Sequence, residues 1–539
     1  MCPFKFNIGG IISHHITVNL NRAINRCIRN ADLDGARHMF DQNPYLRNVV
    51  SWNSMIMAYF RQREVQHAQE LFNEMPHRDL VSWNTMLSGF RHTNHPEKVY
   101  NCFVEMNKVG ERPNELTLAV AISAFLGTKF NILIPQLHCV VICSGLKLNV
   151  FVGSALMRGY IDLGNCQGMH RVFNEILVKD DVTPWNVLIL GYMEFGMTSE
   201  AEKVAFDVMP AEKNLVTWST LINGYIKNSK VDEARGIFDK MSEKDKDVVS
   251  WTAMIKGYVQ CGDFDKGLEL FVVMLRKSSG GGGSSRPNHY TFSSVLDACA
   301  GCCSLVMGSQ VHACILKLGI SLDDVILSTS LVDMYAKCGE IEMAFCIFKS
   351  MPEKNLVSWN SIIGGYGRHG VWERAVEELG RMVKSGVKPD EITFINVLSA
   401  CVHGGKVEEG ERIFNWMMKK KKMMKVEMEH YGCMVDLYGR AGELEKAENL
   451  IKGMPFEADV VVWGAFLRGC ALHSCLERGE IAAKRIYKLQ TDHPALSLWS
   501  WSWSSSKMQM QMQMLGAGQA EERGSLHFTK KQKACSWVG

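Results

Sequence analysis

The segment VVSWNSMIMAYFRQREVQHAQELFNEMPHRD, from Val49 to Asp79, recurs along nearly the whole chain. Its opening returns as LVSWN at Leu80, LVTWS at Leu215, VVSWT at Val248 and LVSWN at Leu356. In its second half the AxxxF text returns at Ala344–Phe348, and the Met-Pro turn returns at Met209-Pro210, Met351-Pro352 and Met454-Pro455. The spacing is 31 to 36 residues almost everywhere. A period in that range confines the chain to an array of small stacked units. Each unit is too short to bury its own apolar face, so only stacking supplies a core. The product offers one long groove suited to an extended ligand.

Leu356 to Asp390 shows the anatomy of a unit. Trp359, Ile362, Ile363 and Tyr366 fall at helical spacing and mark one face of a first helix. Gly367 to Gly370 breaks it. Val371, Ala375, Leu379 and Met382 then form a second amphipathic stripe, ended by Gly386 and Pro389. Neither half alternates with the period of a strand. The expected fold is all-α, a right-handed superhelical solenoid of helix–turn–helix repeats. Aligned on this phase, 13 repeats run 17–48, 49–79, 80–114, 115–149, 150–181, 182–214, 215–247, 248–288, 289–324, 325–355, 356–390, 391–427 and 428–459. A shorter relative opens at Val460 with VVVWGAFLRGC.

An ordinary globular chain of 539 residues would form several domains; the repeats argue instead for one array. The net charge of +3 points only weakly to nucleic acid, although a groove can be locally basic. The 18 cysteines are scattered, and Cys299, Cys338 and Cys401 sit within apolar stripes, as small buried thiols of a reducing compartment do. No apolar run reaches the length of a membrane span. The first acidic residue is Asp32, preceded by Lys5, Arg22, Arg26 and Arg29. Such a start suits an organellar targeting segment at 1–16, while three of those arginines equally belong to the first repeat. Ser278 to Ser285 (SSGGGGSS) is expected to loop out. The stretch 497–539, with its Trp-Ser and Met-Gln runs, is expected to be a disordered tail.

The VSWN…A…LF…MP text resembles the pentatricopeptide repeat family of plant organelles, over roughly Thr17 to Gln490. The repeat lengths alternate as in its PLS subclass. Repeats 80–114, 248–288 and 356–390 end in Arg-Pro-Asn or Lys-Pro-Asp like the standard type, and 115–149, 289–324 and 391–427 open like the long type. The stretch EHYGCMVDLYGRAGELEKAENLIKGMPFEADVVVWGAFLRGC resembles the last repeat joined to an E-type extension, placed at 460–496. The resemblance implies a site-recognition factor for cytidine-to-uridine editing of single-stranded organellar RNA, most readily mitochondrial, with chloroplast as the alternative. It implies that each repeat reads one base through two or three side chains, chiefly its fifth and its last residue.

At the fifth position stand Asn21, Asn53, Asn84, Ser154, Asn186, Ser219, Thr252, Thr329 and Asn360. At the last stand Asn48, Asp79, Asn114, Asp181, Asn214, Asp247, Asn288, Asn355 and Asp390. All are short side chains able to hydrogen-bond a base edge. Helix capping is the competing explanation; it accounts for the last position better than for the fifth, which lies inside the helix. By resemblance, Asn with Asp favours U, Asn with Asn a pyrimidine, Thr or Ser with Asn favours A, and Thr or Ser with Asp favours G. Repeats one to eleven then read Y-U-Y-N-G-Y-G-A-N-A-U, with long-type repeats left as N.

Eight residues after the fifth position stand Arg29, Arg61, Lys227, Lys337, Arg368 and Arg440. They are candidate phosphate contacts, although a helix C-terminus favours cations without any ligand. The tryptophans Trp52, Trp83, Trp218, Trp251 and Trp359 fit inter-helix core better than base stacking. The Lys419–Lys422 run with Lys425 fits a solvated loop.

Zinc deaminases need H-x-E followed by P-C-x-x-C. The chain offers only His95-Pro96-Glu97 within a repeat and Cys299/Cys302 far downstream. No nucleophile–base pair, phosphate loop or metal set appears. The sequence therefore predicts no catalysis, no cofactor and no Asp-Tyr-Trp deaminase domain; chemistry would come in trans from a deaminase-bearing or other editing-complex protein. The end of the extension is recognisable only as KACSWVG at the chain's last residues. A transcript stability, splicing or translation factor is the alternative within RNA binding. A helical-repeat peptide scaffold is the alternative of another class; it would not need a recurring Asn/Ser/Thr with Asp/Asn pair.

Overall fold

The repeated phrase folds as helical hairpins in this computed structural model. The structure describes residues 8–145, 148–176, 180–210, 212–279, 286–419 and 425–490, with side chains from Thr17 onward. Among them are 28 α-helices and no strand. The chain groups into two units, Met1–Cys261 with Arg276–Arg286, and Gly262–Leu275 with Pro287–Gly539.

In the first unit, first helices run Ile8–Arg29, Val49–Arg61, Leu80–His92, Glu115–Phe125, Val150–Asp162, Val182–Glu194, Leu215–Lys227 and Val248–Gln260. In the second they run His289–Gly301, Val325–Lys337, Leu356–Arg368, Glu391–Gly404, Met428–Ala441 and Val460–Leu472. Within each unit a first helix packs on its neighbouring first helices, and second helices such as Val65–Glu74 and Ile341–Ser350 pack against the first helices around them. The opening helix begins at Ile8, so the boundary expected at Thr17 falls inside a continuous helix. The Gly281–Gly283 insertion, most of the Lys419–Lys422 run and the stretch 497–539 lie outside the described residues.

The recurring Phe and Trp of the phrase are two halves of one contact. The Phe of a second helix meets the Trp of the next first helix edge-on: Phe40 with Trp52, Phe72 with Trp83, Phe173 with Trp185, Phe238 with Trp251 and Phe348 with Trp359, at 4.8 to 4.9 Å between centroids. These tryptophans are buried, so they are unavailable for base stacking. Each pair adds about 0.5–1.5 kcal/mol beyond its area burial. A cation just before the next cap covers the same Phe, as Arg47 does Phe40 at 4.3 Å and Arg78 does Phe72 at 4.7 Å.

Glycine sets the closest approach of first helices. A Cβ on Gly469 would lie 2.5 Å from Gly439 Cα, and one on Gly224 would lie 2.3 Å from Met193 Cγ. No described helix is long and apolar enough to cross a membrane. His95-Pro96-Glu97 opens the second helix Pro96–Val109, with Pro96 in its first turn, a plain structural use of that motif.

Candidate nucleic-acid interface

The last residue of a repeat is the N-cap of the next first helix. Asn48, Asp79, Asn114, Asn214, Asp247, Asn288, Asn355 and Asp390 each accept the backbone N–H three residues on, and Asp181 accepts that of Thr183. The reason is elementary: the first N–H groups of a helix lack intrahelical partners, and a short side-chain oxygen satisfies one. Capping is therefore a fact at all nine positions. Burial opposes ionisation of the Asp390 carboxyl, but hydrogen bonds from Thr393 and Asn360 hold it below its ordinary value. Asp181 is likewise lowered, by its bonds from Thr183.

The fifth residue is brought against that cap. Asn21 Nδ2 donates to Asn48 Oδ1 at 3.1 Å, Asn84 Nδ2 to Asn114 Oδ1 at 3.4 Å, Asn186 Nδ2 to Asn214 Oδ1 at 3.3 Å and Asn360 Nδ2 to Asp390 Oδ1 at 3.0 Å. The two positions, about thirty residues apart in sequence, thus act on one spot. Ser219 Oγ and Thr252 Oγ1 instead donate to carbonyls in their own helices. Asn21 Oδ1, Asn53 Oδ1, Ser154 Oγ and Thr329 Oγ1 are buried polar atoms without a hydrogen-bond partner. A buried group left unpaired costs about 1–3 kcal/mol, so each of the four favours a ligand that supplies a partner.

Two of these orphans face clefts of the same design. A cleft of about 420 Å³ is lined by Val50, Asn53, Met57, Arg61, Asp79 and Val81, among others. One of about 350 Å³ is lined by Ile326, Thr329, Asp333, Asn355 and Val357, among others. In each, a fifth and a last residue stand between the second residues of two successive repeats. Those second residues are apolar yet exposed: Val50, Val81, Val216, Val249, Ile326, Val357 and Ile392 range from 47% (Ile326) to 59% (Val81), and Phe151 reaches 79%. Aliphatic side chains on either side of paired polar groups suit a flat, polar-edged ligand such as a nucleobase. Helical spacing puts this second residue on the same helix face as the fifth and the thirteenth.

The candidate phosphate contacts divide. Lys337 and Arg368 both pair with Asp333, at 2.7 and 3.7 Å, Arg440 pairs with Asp436 at 3.0 Å, and Lys227 pairs with Glu194. Arg29 and Arg61 are exposed, and no described carboxylate pairs with either. Of the six, these two are the most open to an added anion. No group of three or more His, Cys, Asp or Glu among the described residues is arranged to hold a metal ion.

Family models match along the array. The PPR repeat family model covers residues 47–80, 78–127, 246–301 and 354–403, the PPR repeat model 183–205, 216–245, 327–356 and 429–456, and the pentatricopeptide repeat domain model 379–440. A putative pentatricopeptide repeat-containing protein of Arabidopsis thaliana is 32% identical over 498 residues, covering 86% of this chain and 80% of that protein. Another from the same plant is 38% identical over 455 residues, covering 83% of this chain and 59% of its own length. The chain spans only 45% to 63% of several further relatives. Among solved structures, it is similar to the pentatricopeptide repeat protein PPR10 in complex with an 18-nt psaJ RNA element, at 16% identity and a TM-score of 0.44, covering 87% of this chain and 86% of that one. By its repeats and its relatives, the chain belongs to the pentatricopeptide repeat family.

Proposed function

We propose that this chain binds single-stranded RNA sequence-specifically, one base per repeat, through the fifth and last residues. The observation that carries the reading is the set of buried, unpartnered polar atoms on Asn21, Asn53, Ser154 and Thr329, two of which line clefts between exposed aliphatic side chains. A base edge supplies the missing partner, and its faces suit the aliphatic walls. The reading pairs are Asn21/Asn48, Asn53/Asp79, Asn84/Asn114, Ser154/Asp181, Asn186/Asn214, Ser219/Asp247, Thr252/Asn288, Thr329/Asn355 and Asn360/Asp390. The target begins Y-U-Y-N-G-Y-G-A-N-A-U from the 5′ end. Arg29 and Arg61 are the leading phosphate contacts. The test is fluorescence anisotropy with 5′-CUCAGCGAAAU-3′ and with the same RNA carrying a scrambled G-C-G-A core. Equal binding of the two sinks the reading.

The finer assignment is a site-recognition factor for C-to-U editing in a plant organelle, the mitochondrion by preference over the chloroplast, with the deaminase supplied in trans. The E-like phrase at 429–470 supports it, as do relatives named for the same repeat in a plant. In this reading 17–459 is the array and 460–496 the extension. Sequencing organellar RNA from a knockout line decides: loss of one or a few edited sites supports it, whereas altered transcript ends or retained introns point to stability or splicing.

A further inference from the structure

The third residue of a repeat takes no part in the base-reading scheme, yet it touches the reader of the repeat before it. Thr117 Oγ1 lies 2.7 Å from Asn84 Oδ1, Thr217 Oγ1 lies 2.7 Å from Asn186 Oδ1, and Thr393 Oγ1 lies 2.6 Å from Asn360 Oδ1. All three threonines are fully buried. Each belongs to a different helix from the asparagine it meets, more than thirty residues away in sequence.

Proton counting fixes the direction of the bond. Asn214 Oδ1 already accepts the Thr217 backbone N–H at 3.0 Å and the Asn186 amide at 3.3 Å. A carbonyl oxygen has two lone pairs, so the single hydroxyl proton of Thr217 goes to Asn186 Oδ1. The alternative rotamer of Asn186, with amide oxygen and nitrogen exchanged, would set two oxygens face to face at Asn214. The ring of Thr217, Asn214 and Asn186 thus has one consistent arrangement, anchored in a backbone N–H that cannot flip. The same ring recurs with Thr117, Asn114 and Asn84, and with Thr393, Asp390 and Asn360.

Where the third residue is serine, the ring opens. Ser51 Oγ and Ser358 Oγ donate to the cap carbonyls of Asn48 and Asn355, and Ser82 Oγ donates to Asp79 Oδ1. Correspondingly, Asn21 Oδ1, Asn53 Oδ1 and Thr329 Oγ1, which precede these serine repeats, are among the buried atoms without partners. In Thr117, Thr217 and Thr393 the branched Cβ restricts the rotamer, and the hydroxyl is aimed at the reader.

We propose that Thr117, Thr217 and Thr393 are positioning residues for base choice, fixing which edge of Asn84, Asn186 and Asn360 is presented to RNA. The inference rests on the base-reading function proposed above. A locked amide leaves one defined N–H and one oxygen lone pair for the ligand. Where serine stands at the third position, as at Ser51, the amide of Asn21 is held by its cap alone and its oxygen has no partner, so such repeats hold their reader less firmly and discriminate less.

The test uses the full chain and four RNAs, 5′-CUCAGNGAAAU-3′ with N as each base, the varied base facing Asn186. Wild-type protein is expected to prefer a pyrimidine there by about tenfold, the scale of a base contact. Thr217→Ser, which keeps the cap as the serine repeats do, should shrink that preference to about threefold or less while the mean affinity over the four RNAs and the melting temperature hold. Thr217→Val, which keeps the branched shape, should do the same to the preference with some loss of stability. If Asn186→Ala abolishes the preference and both Thr217 variants retain it in full, the positioning role is overturned and base reading stands. If Asn186→Ala leaves the preference untouched, base reading by this pair fails, and the positioning role fails with it.

Discussion

The side-chain amide of Asn360 donates to Asp390 Oδ1 at 3.0 Å, joining the first helix of one repeat to the cap of the next. The Asp390 carboxyl also accepts the Thr393 N–H at 2.9 Å. Its ionised form is favoured in the folded protein, so its pKa lies below the ordinary carboxylate value despite the burial that opposes ionisation. The sign follows by linkage: the stabilisation is present above pH 4 or so and is lost as pH falls through the depressed value. Acid titration of unfolding should show that loss in wild type and a shallower one in Asp390→Asn. Equal slopes would remove Asp390 from the acid transition.

Truncating the inter-repeat aromatic contact should be costly. Trp359→Ala removes a buried ring that meets Phe348 at 4.8 Å, and a loss of about 3–5 kcal/mol is expected by denaturant unfolding. Val357→Ala, at an exposed neighbouring position, should change stability by about 0.5 kcal/mol or less.

The same exposed position should matter for ligand. The double variant Val50→Ser, Val81→Ser removes the aliphatic walls around Asn53 and Asp79. Affinity for 5′-CUCAGCGAAAU-3′ should fall by about 1–3 kcal/mol, the scale of a base-stacking contact, with the melting temperature unchanged. Unchanged affinity would show that these walls do not meet RNA.

Free and neutralised cations should differ in salt dependence. Arg61→Gln should weaken all RNAs alike and lower the slope of log K against log salt by about one. Arg440→Gln should do less, because Asp436 sits 3.0 Å from its guanidinium. Equal effects would mean that the ion pair opens on binding.

Glycine spacing gives a stability prediction. Gly469→Ala places a methyl 2.5 Å from Gly439 Cα. Backbone cannot yield as a side chain would, so a loss of about 1–3 kcal/mol is expected by thermal or denaturant unfolding.

The all-helical array was legible because a period of 31 to 36 residues leaves few other solutions. What the period hid was partnership. Phe348 and Trp359 both stand out in the text, but their contact crosses from one repeat to the next. Lys227 shows as a bare cation in sequence, while its partner Glu194 lies a full repeat away. Arg440 could have been discounted, since Asp436 precedes it at helical spacing. Thr217 looks like an ordinary cap-box residue, and only three-dimensional proximity shows its hydroxyl meeting Asn186. Val50 and Val81 carry no sign of a role in the sequence, and only their exposure beside one cleft suggests it.

A cap that also faces the groove limits how such a chain can be retargeted. Asn48, Asp79 and their equivalents must first end a loop and start a helix, and only Asn, Asp, Ser, Thr and Gly do that well. Under the proposed base reading, exchanging Asn for Asp at such a position changes one letter with little effect on stability. Exchanging either for Leu or Val costs about 1 kcal/mol of helix stability at every repeat so changed. Over many repeats that sum would unfold the array, so its usable alphabet is set by helix initiation before any RNA is met.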